Sequence, residues 1–292
     1  MSTKALAASA LVLNAFVWGI SWWPFRLLQT HGLHPLWATA IIYTLALTCL
    51  AALRPDAWRS FGRHPLLWLL VLASGLTNVG FNWAVAVGDV VRVVLLFYLM
   101  PAWVVLLAWP ILGEKPSSDS LMRLVLALTG VMIVLKAPNS SWPVPQSLAD
   151  GLALMGGLSF ALTNILLRKL NQTPDESRML AMFGGGAAMS ICVALFGMSV
   201  GLVQALPQPE VTWITLALFI SFAFLAGNLA LQYGAAHLSA SATSLIMLSE
   251  VVFASVSSVV LGTGEFSTRT LLGGALIFLA SVLSVVSVRK LA

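Results

Sequence analysis

Ten acidic residues occur in this chain of 292. Nine of them, Asp56, Asp89, Glu114, Asp119, Asp150, Asp175, Glu176, Glu210 and Glu265, fall in loops or at the ends of apolar runs. The tenth, Glu250, lies midway along the apolar run Leu238 to Leu261. If that run is a helix crossing a bilayer, Glu250 sits near its centre. An unpaired carboxylate at that depth is expensive, so Glu250 should face the interior of a helix bundle. Two chemistries fit it. It is a proton or substrate-amine site, or it is an acid hydrogen-bonded to a neighbouring helix. No basic residue falls at its depth in the sequence.

Amides and hydroxyls come next. Asn14, Asn78, Asn82, Thr163, Asn164, Asn228 and Gln232 all lie inside apolar runs, with Ser21, Ser159, Ser241, Ser244 and Ser249. Interhelical hydrogen bonds, worth about 1 kcal/mol or less each, account for most of the serines. An amide facing lipid is costly, so amides at matching depths suggest a polar cavity. Trp18, Trp22, Trp83, Tyr98, Trp103 and Tyr233 lie deep beside these positions. Together they would form an aromatic-walled pocket with a few hydrogen-bonding groups, the usual make-up of a small-molecule site. Trp37, Trp58, Trp68, Trp142 and Trp213 sit near run ends, as an interfacial belt would. The expected substrate-binding set is therefore Asn14, Trp18, Trp22, Asn78, Asn82, Trp83, Tyr98, Thr163, Asn164, Asn228, Gln232 and Tyr233. Glu250 is the proton or conformational candidate, and Pro24 and Pro101 are candidate hinges, since a proline within a span frees a carbonyl.

Catalytic patterns are missing from the sequence. It has no Gly-rich phosphate loop and no nucleophile elbow. His31 and His34 lack a third ligand, so no metal site and no cofactor is expected. Cys49 and Cys192 lie in apolar runs and read as inert thiols. The net charge of +5 is scattered between apolar runs and does not suggest nucleic acid. The expected partners are a small-molecule substrate and lipid, with a monomer as the unit.

The elements that must hold these residues are long and apolar. The chain is 59% hydrophobic and 9% charged, against about 25% charge in soluble domains. Its surface must therefore face lipid. Runs Leu6–Leu28, Pro35–Leu53, Leu66–Val87, Val90–Leu112, Leu121–Leu135, Leu148–Leu170, Met179–Leu206, Val211–Gly234, Leu238–Leu261 and Thr268–Val288 predict ten spanning helices. The first is expected to be retained, because it exceeds a signal-peptide core. The Pro/Ser-rich stretch 138–147 divides two halves, 1–137 and 148–292.

The halves repeat one another. Trp18 through Arg26 lines up with Phe160 through Arg168, Asn82-Trp83 with Gln232-Tyr233, and the Leu-Gly-Glu corner at 112–114 with LGTGE at 261–265. Five spans is an odd number, so the second half enters the membrane in the opposite sense. With the N-terminus inside, eleven Lys and Arg fall on the inner side and four on the outer, which favours cytoplasmic termini.

The motifs WGISWWP (Trp18 to Pro24), FYLMPAWVVLLAWPILGEKP (Phe97 to Pro116), LSEVVFASVSSVVLGTGE (Leu248 to Glu265) and LLGGALIFLAS (Leu271 to Ser281) resemble the EamA-type branch of the drug/metabolite transporter superfamily. The deep aromatics make the chain most similar, within that branch, to the YddG-type exporters of aromatic amino acids. The resemblance implies an all-α polytopic fold, two inverted five-helix repeats, a central cavity, and export of small metabolites from a bacterial inner membrane by alternating access. A glutamate at the place of Glu250 also occurs in relatives with different substrates, which implies a shared structural or conformational role. Val251 stands where that pattern often has proline, and the second corner is enlarged. A transporter of another solute, such as an organic cation or a nucleotide sugar, is the alternative; an intramembrane enzyme would need a reactive cluster that the spans lack.

Overall fold

A computed structural model describes residues 2–135, 145, 147–261, 268–269, 271–276, 279–280 and 283. Among these the chain is all-helical, with no strand. That follows from the composition: a backbone in lipid must satisfy its own N–H and C=O groups, and a helix does so within one segment. The helices are α1 (Thr3–Thr30), α2 (Pro35–Leu53), a 3₁₀ turn (Pro55–Ser60), α3 (Leu66–Val87), α4 (Val90–Phe97), α5 (Met100–Leu112), α6 (Ser118–Leu135), α7 (Leu148–Lys169), α8 (Asp175–Ser199), α9 (Val211–His237), α10 (Ala240–Met247) and α11 (Ser249–Val260).

Side chains start several of them. Ser2, His34, Asp89, Ser147 and Ser239 each accept a hydrogen bond from a backbone N–H in the first turn of α1, α2, α4, α7 and α10. Gly113, left-handed at φ 72°, ends α5 at the Leu-Gly-Glu corner.

Seven stretches are long and apolar enough to cross a membrane: α1, α2, α3, the stretch Val90–Leu112, α7, α8 and α9. A shorter apolar helix covers Leu245–Val260. Most of the expected tenth run, the enlarged corner at 262–265 and most of the 138–147 linker lie outside the described residues.

Two expected spans are not single helices. Val90–Leu112 divides into α4 and α5 at Tyr98 and Leu99, where the Leu99 N–H reaches back only three residues to the Leu96 carbonyl. The run from 238 to 261 divides into α10 and α11 at Leu248, which bonds back in the same way to Leu245. Pro101 falls in the first turn of α5, where its missing N–H costs nothing. Val251 holds the matching place, so the tightened turn forms without a proline. α1, by contrast, runs through Pro24 unbroken.

Packing joins the halves. α1 packs on α9 and α11, α7 packs on α3 and α5, and α2 packs on α8. Exchanging the halves exchanges the first two groupings and maps the third onto itself. Glycines permit the closest approaches. A Cβ on Gly157 would lie 2.3 Å from the Phe97 carbonyl oxygen, and one on Gly19 would lie 2.9 Å from that of Glu250. α7 can therefore press on the end of α4, and α1 on α11, only with a bare backbone at those points.

Candidate functional site in the bundle interior

Those two approaches frame a cavity. It has a volume of about 20 Å³ and is lined by Trp18, Thr77, Phe81, Phe97, Phe160 and Glu250, from α1, α3, α4, α7 and α11. That is room for one water-sized group. The aromatic rings touch in series. Trp18 meets Phe81 edge-on at 5.5 Å, Phe81 meets Phe97 at 4.7 Å, and Phe97 stacks on Phe160 at 5.4 Å. Behind Trp18, Phe224 stacks at 4.6 Å. Contacts of this kind exceed simple area burial by about 1 kcal/mol each.

Glu250 is the ionisable group among the described residues of the wall, with 2% of its surface exposed. Its Oε2 is hydrogen-bonded to the Tyr98 hydroxyl, which also lies 2.6 Å from the Met247 carbonyl oxygen. Both contacts belong to the paired tightened turns, one at Tyr98 and the other ending α10. A phenol has one proton to donate. When it goes to Met247, the contact with Glu250 requires a proton on the carboxyl side; when it goes to Glu250, the Met247 carbonyl waits. Oε1 of Glu250 has no partner among the described residues.

The expected amides divide into two classes. Asn78 is fully used: the Tyr43 hydroxyl donates to its Oδ1, and its Nδ2 donates to the Ser74 carbonyl at 2.7 Å. Asn228 lies 2.8 Å from Gln232, and Gln232 lies 3.1 Å from both the Asp175 carbonyl and the Met179 backbone nitrogen at the start of α8. Thr163 bonds back to the Ser159 carbonyl at 3.0 Å. These groups tie helices together or satisfy their own helix.

Asn14, Asn82 and Asn164 differ. Their amide nitrogens donate to the Gly227 carbonyl at 2.7 Å, the Thr39 hydroxyl at 3.1 Å and the Phe160 carbonyl at 3.0 Å. Thr39 itself donates to the Pro35 carbonyl, so its oxygen can only accept from Asn82. The three amides are thus fixed in orientation, and each Oδ1 is buried without a partner among the described residues. Asn14 stands one turn before Trp18 on α1, and Asn164 one turn after Phe160 on α7, on the faces that carry the cavity wall.

The expected aromatics scatter more. Trp18 lines the cavity and Tyr98 supports it from behind Glu250. Trp22 donates to Ser257 at 2.9 Å, joining α1 to α11. Trp83 packs edge-on against His34 at 5.4 Å, and Tyr233 lies against His237 at 4.4 Å; both are at helix ends, away from the cavity. The side chains of Pro101, Ser241 and Ser244 are outside those described.

Thr77, Phe81, Phe97 and Phe160 complete the wall without having been expected there. Phe160 carried a signal, since it is the repeat partner of Trp18. Phe81 and Phe97 each precede a selected residue, Asn82 and Tyr98, by one position.

Charged pairs flank the site. Asp150, 2% exposed, takes a two-pronged contact from Arg92 at 2.9 and 3.0 Å, which joins α4 to the start of α7. Arg26 donates to the Gly88 and Val85 carbonyls at 2.6 and 3.4 Å, closing the end of α3. Its repeat partner Arg168 donates to the Ala236 carbonyl at 2.8 Å, near the end of α9.

Comparison with known proteins agrees with this architecture. A protein of known crystal structure superposes over 99% of both chains, with TM-score 0.72 and 16% sequence identity, which is a likeness of fold. No curated protein matches the sequence. Residues 5–136 and 147–286 each match the EamA-like transporter family. The chain, with its two family-matching halves and its membrane-length apolar helices, belongs to the EamA-like transporter family and is a multi-pass membrane protein.

Proposed function

We propose that the chain is a secondary-active exporter of small amphipathic metabolites, working by alternating access at the central cavity. In this reading the halves 1–137 and 148–292 are inverted five-helix repeats, ten spans in all, with both termini in the cytoplasm of a bacterium. Neutral amino acids with an aromatic or aliphatic body are the leading substrates, in line with the likeness to the YddG-type exporters.

One observation carries the proposal. The cavity lies between helices of both halves, is walled by aromatic rings, and holds the buried carboxyl group of Glu250. At about 20 Å³ it is closed around nothing larger than a water. A metabolite can enter only if helices part, and parting on alternate sides is what a carrier requires. A nucleotide or nucleotide sugar fits poorly, because none of the described residues lining the cavity is basic. The sequence has no ATP-binding loop, so a gradient would drive transport: proton antiport through Glu250, or facilitated efflux.

The test is counterflow in liposomes holding the purified protein, with a panel of unlabelled amino acids and amines trapped inside. Uptake of labelled solute against its gradient, driven by the trapped one, is the expected result. Flux that never overshoots equilibrium would indicate a channel instead, and flux of none of the panel would remove the proposal.

A further inference from the structure

Glu250 is the ionisable residue among the described residues of the wall, 2% exposed, and its Oε1 has no hydrogen-bond partner among them. On the same helices as the wall, Asn14, Asn82 and Asn164, each 1% exposed or less, also hold a buried Oδ1 without a partner among the described residues. The asparagine orientations are fixed, because each nitrogen faces a carbonyl or a hydroxyl that already donates elsewhere. Rotating an amide to present its N–H₂ would set oxygen against oxygen. A buried acceptor without a donor is costly, so the matching ligand is rich in N–H or O–H donors. The carboxyl group adds charge selectivity: none of the described residues lining the cavity is basic, Arg26 is engaged by carbonyls, and Arg92 is engaged by Asp150. Rings of Trp18, Phe81, Phe97 and Phe160 line the same space, and an aromatic face attracts a cation most strongly where water is excluded.

We infer that this cavity recognises the ammonium group of an amphipathic amine through Glu250 and the aromatic wall, and prefers substrates with net positive charge over the zwitterionic amino acids that share the same hydrocarbon body. The inference rests on the reading of the cavity as a transport site and moves the leading substrates from neutral amino acids to the amines of the same hydrocarbon body. An amino acid would bring a carboxylate beside Glu250, with no basic residue among the described residues of the wall to receive it. An amine, or an amino acid whose carboxyl is removed or capped as an ester or amide, brings only the matching half. The apolar body would displace the Phe97 and Phe160 rings as the helices part.

Three ligands of one shape separate these cases: phenethylamine, phenylalanine and 3-phenylpropionate, with neutral 2-phenylethanol as the uncharged reference. Binding is read by tryptophan fluorescence of the purified full-length protein, Trp18 being in the wall, and transport by counterflow in liposomes. Phenethylamine should bind about tenfold or more tightly than phenylalanine, the scale of one charge-assisted hydrogen bond, with 3-phenylpropionate weakest. Glu250→Gln should lower the ratio of phenethylamine to 2-phenylethanol affinity about tenfold, the charge-assisted part of the contact being lost. The ranking in the unsubstituted protein decides the matter even if the variant fails to fold. A zwitterion or acid that binds as well as the amine would overturn the inference while counterflow leaves the transport reading intact. If none of the four binds or exchanges, the transport reading falls, and the inference falls with it.

Discussion

When Glu250 is ionised, its contact with Tyr98 and that of Tyr98 with Met247 have one proton between them, and that shortage is testable. The phenol touches both the carboxyl group and the Met247 carbonyl. Among the described residues of α1, α3 and α7 that line the cavity with Glu250, none is ionisable, so Tyr98 is the titratable neighbour. If proton coupling passes through Glu250, Glu250→Gln keeps the shape and hydrogen bonding but cannot ionise. Its counterflow should persist while the pH dependence of net transport flattens; an unaltered pH profile would leave Glu250 with a structural role only. A second titration lies outside the helices. The His34 ring accepts from the Leu36 N–H at 3.2 Å, and burial holds its pKa below the ordinary value. The unfolded chain therefore takes up a proton below about pH 6.5 while the folded protein resists it. Stability from this group is present above that pH and declines as pH falls toward the lowered folded value, below which the loss levels off. His34→Asn, which can still cap α2, should show a smaller drop in melting temperature between neutral and mildly acid buffer than the unsubstituted protein. Glu250 was legible in the sequence because a lone acid in a long apolar run has few explanations. The phase of each helix was not: a turn is 3.6 residues, so the choice between Phe81 and Asn82, or Phe97 and Tyr98, is set by which neighbour presses on the helix.

At the scale of elements, the Arg92–Asp150 pair is the strongest polar link between α4 and α7. Sequence reading placed Asp150 at a span end, where solvent would be expected. Instead the start of α7 is covered, and the carboxylate is buried with Arg92 on it. Burial of this sort depends on which segment closes over a helix end, and no local pattern encodes that. Removing one partner should hurt more than removing both, because a lone buried charge is the costly species. Arg92→Met is therefore expected to destabilise by about 3 kcal/mol. The double variant Arg92→Met with Asp150→Leu should recover much of that loss. Thermal unfolding in detergent would check it; equal losses in single and double variants would mean that the pair is screened by solvent. The tightened turns at Tyr98 and Leu248 were also hidden. Both interrupt continuous apolar runs, and only the proline at 101 hinted at the first. That Leu248 does the same beside Val251 shows the turn is imposed by packing of the halves rather than by proline chemistry.

For the whole molecule, the repeat was the most legible feature, since matched motifs 142 to 150 positions apart can be read without any structure. The pairing holds down to Arg26 and Arg168, each binding carbonyls at or near the end of a matched helix, α3 or α9. It also fails informatively: in the same register Arg92 and Asp150 face Ala242 and Ala8, so one side of the bundle carries an ion pair that the other lacks. Which side is which depends on orientation. The two ends are internally consistent. At one, Trp37 donates to the Gln204 carbonyl at 3.0 Å and His31 lies 3.6 Å from Glu210. At the other, Ser177 donates to the Ala57 carbonyl at 2.8 Å and Arg54 lies 3.8 Å from Glu176. The second end carries Arg54, Arg59 and Arg63, so the proposed orientation, read from the eleven-to-four bias, predicts that it faces the cytoplasm. Arg178, near the start of α8 at the same end, is 1% exposed and held by Asp175, so it cannot serve as a labelling site. Arg59 and Gln208 are both exposed, one at each end. In a chain cleared of Cys49 and Cys192, single cysteines at 59 and 208 should react differently with a membrane-impermeant maleimide. In intact cells position 208 should label and position 59 should not, and position 59 should become reactive once the membrane is permeabilised. Labelling at 59 with protection at 208 would reverse the orientation and move the Arg92–Asp150 pair to the cytoplasmic side.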